Sequence, residues 1–452
     1  MNRKLAIIIS LFISAYCLGQ RPTPQDFEKS LEKPQWEFHT KEMDSCTFNS
    51  YNIPRFYRCD SAIAFITSNG AWNYKGEPDL EHLYIISTNT GKIIWQKKNE
   101  GGNIKCYFDK DKVISLDSVI ICYNIFSGKT IWSFTPEQNV IVGRIKIAGS
   151  YAYLEGTKYD KNGSESYLLY KVDLNTGKLK KTILNIPTLW FGVTTIYSHF
   201  ALFMDYSKLI CFDLNAGKIS WTFTPDLDSN GVVKNFSLTF PFYFSKDTLY
   251  CLKEEETDSI IVGVCKTATV IAMDIKTGKK LKELYMGRKY GIADPYVDDG
   301  AIYASIFSPH HFTCFYMSKF SFKDLKTIWC DSIPITAYEP QYSFPGIDSN
   351  NIYFISDSTI TTINKKTGQI LHDKGTSEYI EYIMVTDNFL IAHIVSNDTL
   401  PRPQTMILDK KMPDKTALST RNVVLMNEDI KHNELYMIDI DTKTLLKVKL
   451  PQ

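Results

Sequence analysis

Three places in this 452-residue chain carry residue types that suggest a metal or an acid–base pair. They are the adjacent histidines His310 and His311, the acidic run Glu254, Glu255, Glu256 with Asp258, and Asp298 and Asp299 ahead of Gly300. Two histidines hold zinc when further Cys, His or carboxylate ligands stand at finger-like spacing, and none does here, so the pair reads as a surface or channel-facing loop. The acidic run lies between strand-like segments ending near Lys253 and starting near Ile260, the setting of a solvated hairpin tip. The Asp298 segment lacks the longer, regular ligand spacing of a calcium loop and reads as a turn before a strand from Ala301 to Phe307. No G-x-S-x-G, H-E-x-x-H or phosphate-binding glycine loop occurs. No catalytic, metal-binding or cofactor-binding residue is therefore assigned, and no cofactor is expected.

Ten cysteines are encoded, one of them, Cys17, close to the N-terminus. The nine others are an odd number, so at least one stays unpaired in a fully oxidised monomer. Cys122 and Cys211 take the same place in a repeat described below, where a small buried apolar side chain suits the position. Cys46 with Cys59, and Cys251 with Cys265, are close enough in sequence to pair, and the spacing leaves both pairings open.

The N-terminus has the order of a secretory signal: Arg3 and Lys4, the apolar run Leu5 to Ile13, then small residues ending at Gly19. Nine apolar residues fall short of the roughly 20 that span a bilayer. Residues 1–19 are read as a signal peptide, 20–35 as a linker and 36–452 as one domain. Lipid anchoring at Cys17 is the alternative, and Tyr16 argues against it because the residue before a lipidated cysteine is small. An exported protein, periplasmic or secreted and without a transmembrane segment, is expected. With 51 basic and 50 acidic residues the formal net charge is +1, which lacks the basic excess of a nucleic-acid binder.

The elements that must position any site are strands. The chain holds 27 Tyr and 26 Phe and no long segment of helical period. Short segments repeat: LYIISTNTGKIIW from Leu83, VIICYNIFSGKTIW from Val119, KLICFDLNAGKISW from Lys208, and weaker copies starting at Leu168, Val270, Phe320, Ile360 and Leu435. Their anchor is Gly91, Gly128, Gly177, Gly217, Gly278 and Gly368, replaced by Leu325 and Lys443 in two eroded copies, at intervals of 37 to 75 residues. Spacing of this order is that of propeller blades, and the long last interval leaves room for a ninth hairpin around Met406 to Leu418. Each copy reads as two strands joined by a tight turn, with the glycine in the left-handed region and Ser, Asn or Asp four residues earlier accepting turn N–H groups. Four residues after the anchor stand Trp95, Trp132, Trp221 and Trp329, expected to pack between blades. Two further strands per interval complete a four-stranded blade. The prediction is an all-β propeller of eight blades, or seven, in which Trp36 to Glu42 completes the last blade and covers its edge.

The D/N-x-x-x-G turn followed by G-K-x-x-W resembles the repeat of PQQ-like (quinoprotein alcohol dehydrogenase-like) propellers, from about Ile63 onward. WD-type Gly-His and Trp-Asp pairs are absent. Quinone-dependent dehydrogenases of this type place quinone and calcium over the channel, and the eight-bladed alcohol dehydrogenases carry a disulfide between adjacent cysteines. Here no two cysteines are adjacent, no C-x-x-C-H haem motif occurs, and the chain is short for that class. The resemblance thus implies the non-enzymatic branch, similar to the propeller that assists outer-membrane barrel assembly. The function expected is a monomeric protein-binding or assembly scaffold in the cell envelope. The alternative is a quinone-dependent oxidoreductase or carbohydrate-active protein using the channel.

Overall fold

A computed structural model of the chain describes residues 29–40, 43, 55–68, 81–99, 104–163, 165–187, 191–205, 208–224, 236–256, 265–290, 296–298, 300–307, 314–334, 346–356, 358–375, 379–395, 403–410, 416–418, 423–429 and 434–450. They fall into two compact units, one from Lys41–Gly375 and one from Met1–Thr40 with Thr376–Gln452.

The larger unit is a succession of antiparallel four-stranded blades, the architecture of a β-propeller. Blade 1 spans residues 55–99, blade 2 105–134, blade 3 140–187, blade 4 191–223, blade 5 236–290, blade 6 296–334 and blade 7 346–375. Blades 5 and 6 are further stitched by a single backbone pairing between Arg288 and Phe307. In every blade the two central strands are the apolar ones. In blade 1 the stretch from Ala62 to Ile66 is at most 1% exposed, and Tyr84, Ile85 and Ile86 are fully buried. Such near-continuous apolar strands are what a sheet covered on both faces demands. Neighbouring blades come together at their first strands, blade 1 against blade 2 and blade 5 against blade 6.

The smaller unit holds two blades: blade 8, residues 379–418, and blade 9, residues 423–449 with Trp36–Phe38. The blade count is therefore nine, which corrects the expected eight or seven. Blade 8 escaped the repeat alignment because it has no anchor glycine and no tryptophan at the expected spacing. Its last two strands pair Met406 with Leu418 and Leu408 with Thr416, where the long interval had left room for a hairpin.

Trp36–Phe38 pairs antiparallel with Thr444–Lys449, setting Trp36 opposite Lys447 and Phe38 opposite Leu445. The N-terminal strand thus completes the last blade, over three residues; Lys41 and Glu42 lie outside the described residues. Its alternation, Trp36 and Phe38 buried and Glu37 exposed, suits a strand with one covered face. Just before it, residues 29–32 form a helical turn. Leu31 from that turn is 2% exposed and packs with Met384, Phe389 and Leu446.

The eighth sequence copy sits one strand further in than the others. The strand after Lys443 is interior, flanked by Glu434–Asp439 and Trp36–Phe38, whereas the strands that follow the anchor in blades 1–4 and 7 are sheet edges. Because the N-terminus supplies the outer strand, Leu445 and Leu446 are buried where other copies are exposed.

Candidate functional site

The anchor turns set the frame. In blade 3, Asp173 Oδ1 accepts the N–H groups of Asn175 and Thr176, both at 3.0 Å. Gly177 N–H donates to the Asp173 carbonyl at 2.9 Å. Asp213, Asp274, Asn124, Asn364 and Asp439 repeat the side-chain caps. Ser87 and Ser321 do so with one bond each, to Thr90 and Asp324. The anchor has positive φ throughout, from 65° to 80° at Gly91, Gly128, Gly177, Gly217, Gly278 and Gly368, and 49° and 52° at Leu325 and Lys443. Hydrogen bonds hold the caps in their ionised form. The Thr176 hydroxyl holds the Asp173 carboxyl below the usual range, the Ala216 N–H does so for Asp213, and the Thr277 hydroxyl for Asp274.

A β-bulge then follows in each of blades 1–7. In blade 2, Cys122 faces Trp132 and Tyr123 faces Thr130, leaving Ile131 extra. The same two-against-one step recurs at Ile94, Lys180, Ser220, Leu281, Ile328 and Leu371. The inserted residue turns the fourth-strand tryptophan toward the next blade. Trp95 Nε1 donates to Ile125 O (2.7 Å), Trp132 to Leu174 O (2.8 Å), Trp221 to Ile275 O (2.7 Å) and Trp329 to Lys365 O (3.2 Å). The acceptor is always three residues before the next blade's anchor. Blade 5 has Lys282 instead of tryptophan, and its seam with blade 6 is filled by Tyr243 stacked on Phe322 at 4.4 Å. These contacts join blade 1 to 2, 2 to 3, 4 to 5, 5 to 6 and 6 to 7.

The first strands are unequal in charge. Blades 1–3 place Arg55, Arg58, Lys105, Arg144 and Lys146 on them. The first strands of blades 4–7 carry no Lys or Arg, although together they are no shorter. A second bulge, between Val142 and Arg144, breaks the first strand of blade 3. Lys105 Nζ bridges to the Gly143 carbonyl there at 3.1 Å, tying blade 2 to blade 3. Arg144 is exposed and pairs across the ladder with Glu155, which is 4% exposed. Both charges act on Tyr107: burial pushes its phenol up and Glu155 adds to this, while the Ile145 N–H and Arg144 oppose it.

A second polar group lies between blades 6 and 7. Lys365, 9% exposed, is paired with Asp298 and donates to the Asp348 carbonyl at 3.2 Å. Tyr353 donates to Asp348 Oδ2 at 2.9 Å, and burial raises its phenol well above the usual range. Lys365 occupies a slot filled by Thr88, Ile125, Leu174, Leu214, Ile275 and Phe322 in blades 1–6, so the repeat itself marks it as the charged member. The five first-strand bases left no such mark, because their grouping exists only once the first strand of each blade is known.

Other sequence candidates are separated. Asp298 pairs with Ala301 across a tight turn in which Gly300 has φ 68°, as a turn reading requires. The strand before the acidic run continues to Glu256, beyond the expected end near Lys253, and Asp258 lies outside the described residues. His310 and His311 also lie outside them. Cys122, Cys211 and Cys251 are buried, and desolvation pushes each thiol up to about 12. Cys59 and Cys251 are free thiols, so neither of the two possible disulfides is present.

No protein-family profile and no curated protein matches the chain. Solved structures similar to it include BamB from Moraxella catarrhalis, at 14% identity over 76% of this chain and 96% of that one, with a TM-score of 0.44. A europium-containing methanol dehydrogenase is similar at 10% over 84% and 85%, TM-score 0.43. Sqt1 from Saccharomyces cerevisiae is similar at 10% over 77% and 95%, TM-score 0.43. Likenesses of this size assign no activity. The chain's own strands and docking turns establish its fold class: a β-propeller of four-stranded blades carrying a repeat that resembles the PQQ-like one.

Proposed function

We propose that this chain is an exported, non-catalytic β-propeller that serves as a protein-binding or assembly scaffold in the cell envelope. One observation carries the reading: among the described residues, the groups whose protonation is displaced furthest belong to the frame. Cys122, Cys211 and Cys251 fill blade interiors and Tyr353 is locked to Asp348, while the lowered Asp173, Asp213 and Asp274 carboxyls cap anchor turns. Catalytic sites collect displaced groups as acid–base partners in a cleft. Here each displacement has a structural cause, and what remains for solvent is a rigid display surface, which suits a protein partner. The basic and apolar leader from Arg3 to Ile13 supports export, to the periplasm or beyond. No helix among the described residues is long and apolar enough to cross a membrane. The protein acts as a monomer.

Crosslinking in the native envelope, followed by identification of attached proteins, tests the reading. A specific, saturable partner is expected. Alcohol or sugar oxidation by the purified protein after addition of quinone and calcium would overturn it.

A further inference from the structure

We infer that Asn162 is a site of covalent self-modification: the Gly163 backbone nitrogen displaces its side-chain amide, leaving aspartate or isoaspartate at the tip of a blade 3 hairpin. The inference does not depend on the scaffold reading. Tyr151–Tyr159 and Glu165–Asp173 pair antiparallel out to Tyr159 opposite Glu165, and Asp160, Lys161, Asn162 and Gly163 lie in the turn between them. All four are exposed. Gly163 has φ 79°, and no atom lies within 4 Å of where its Cβ would stand. The residue whose nitrogen attacks thus carries no side chain to obstruct its approach to the Asn162 amide.

The step balances with water alone. The Gly163 nitrogen gives its proton to water and bonds to Asn162 Cγ, which closes a succinimide ring. The Cγ–Nδ2 bond breaks, and Nδ2 leaves as ammonia. Water then opens the ring, at the side-chain carbonyl to give aspartate or at the backbone carbonyl to give isoaspartate. A neutral amide becomes a carboxylate, so a tip that already carries Asp160 gains a negative charge.

Two other exposed asparagines, Asn175 and Asn215, show what sets Asn162 apart. In their turns the N–H that would attack belongs to Thr176 or Ala216, each of which carries a side chain. Asp173 Oδ1 holds the Thr176 N–H at 3.0 Å, and Asp213 Oδ1 holds the Ala216 N–H at 2.9 Å. A carboxylate bonded to an N–H opposes the loss of its proton. The Gly163 N–H is held instead by the neutral Asp160 carbonyl at 3.1 Å, while the Asp160 carboxylate accepts the Asn162 N–H at 2.8 Å. That carbonyl bond must open, and it lies at an exposed loop tip, where local opening costs least. Among the described residues no other asparagine precedes a glycine.

The test incubates the full mature chain, folded, in heavy-oxygen water at neutral pH and maps its peptides by mass spectrometry. Heavy oxygen should enter at position 162 roughly tenfold or more faster than at positions 175 and 215, with isoaspartate among the products. Gly163→Ala should slow the conversion by a similar factor. Because alanine is strained at φ 79°, a second variant leaves the hairpin untouched. Thr176→Gly puts a glycine after Asn175 while the Asp173 cap stays, and Asn175 should still convert more slowly than Asn162. Equal rates in that variant would remove the distinction on which the inference rests. Equal rates at all three asparagines of the unaltered chain would overturn it. So would an Asn162 that stays intact in the folded chain for as long as the urea-unfolded chain needs to convert it.

Discussion

Trp221 and Gly278 leave no space between them for a methyl group: a Cβ on Gly278 would fall 2.5 Å from Trp221 Cδ2. Trp132 stands equally close to Gly177, at 2.6 Å, Trp329 to Gly368 at 2.7 Å and Trp95 to Gly128 at 2.8 Å. At these four positions the anchor glycine thus answers two demands at once, a left-handed backbone and the absence of a side chain under the preceding blade's indole. Leu325 shows the demands coming apart. Its φ is 49°, but the blade before it carries Lys282, and a side chain is admitted.

Gly278→Ala should therefore cost more than the roughly 1–2 kcal/mol charged for a left-handed L-residue, because the indole must also move. Trp221→Ala alone should be destabilising by about 3–5 kcal/mol, as for other large core truncations. The double variant should be clearly less unstable than the two losses added together. Strict additivity in urea melts would show that the two residues do not share one steric conflict.

Low pH should act through the turn caps. Asp173, Asp213 and Asp274 hold their protons more weakly when folded than when unfolded. Their contribution is complete above the unfolded carboxyl value of about 4 and is lost as pH falls through the lower folded values. Asparagine accepts the same N–H bonds at Asn124 and Asn364. A triple Asp→Asn variant should therefore stay folded at pH 7 and show a shallower fall in melting temperature between about pH 4 and pH 2. An unchanged acid slope would mean that other carboxylates carry the acid sensitivity.

Thiol labelling should divide the cysteines by environment. Cys122, Cys211 and Cys251 are buried with thiols near 12, so almost no thiolate exists at pH 8. Cys330 is exposed. Peptide mapping after brief treatment with a maleimide should find Cys330 modified and the three buried positions intact until denaturant is added. Fast labelling of Cys122 or Cys211 in native buffer would show that the blade interiors open far more readily than their packing implies.

How much of this was legible in the sequence depended on how local the causes were. An anchor turn is decided within a few residues: the cap at Asn124, the left-handed Gly128 and the bulge at Ile131 that aims Trp132 all lie on one hairpin, so the copies in blades 1–7 align with one another. Blade 8 has the same strands but no such turn, and Phe389, Ile391 and Ile407 show only an apolar pattern that many strands share. The offset of the eighth copy was out of reach for another reason. Whether Leu445 lies on an edge or an interior strand is decided by Phe38, some four hundred residues away in sequence. The basic first strands were illegible on the same ground, since which residues fall on a first strand is settled only when all four strands of each blade are known.

Blade 9 tests whether so distant a pairing matters. Trp36 packs its ring 6.1 Å from that of Tyr436, and behind it Lys447 makes a 2.8 Å ion pair with Glu434, their side chains 6% and 15% exposed. A buried pair of this kind tolerates the loss of its apolar cover badly, because water and a free strand edge then reach it together. Trp36→Ala and Phe38→Ala should each lower stability by about 3–5 kcal/mol, while Glu37→Ala, on the exposed side of the same strand, should stay within about 0.5 kcal/mol. Removing the segment through Phe38 should do more than either, since the Thr444–Lys449 strand would then present an unpaired edge of mostly buried Thr444, Leu445, Leu446, Lys447 and Val448 to other copies. Light scattering on warming the truncated chain should rise well before that of the full chain. A truncated protein that melts at the same temperature and stays monomeric would show that the outer strand of blade 9 is dispensable, and that the propeller holds its last blade by some means other than this pairing.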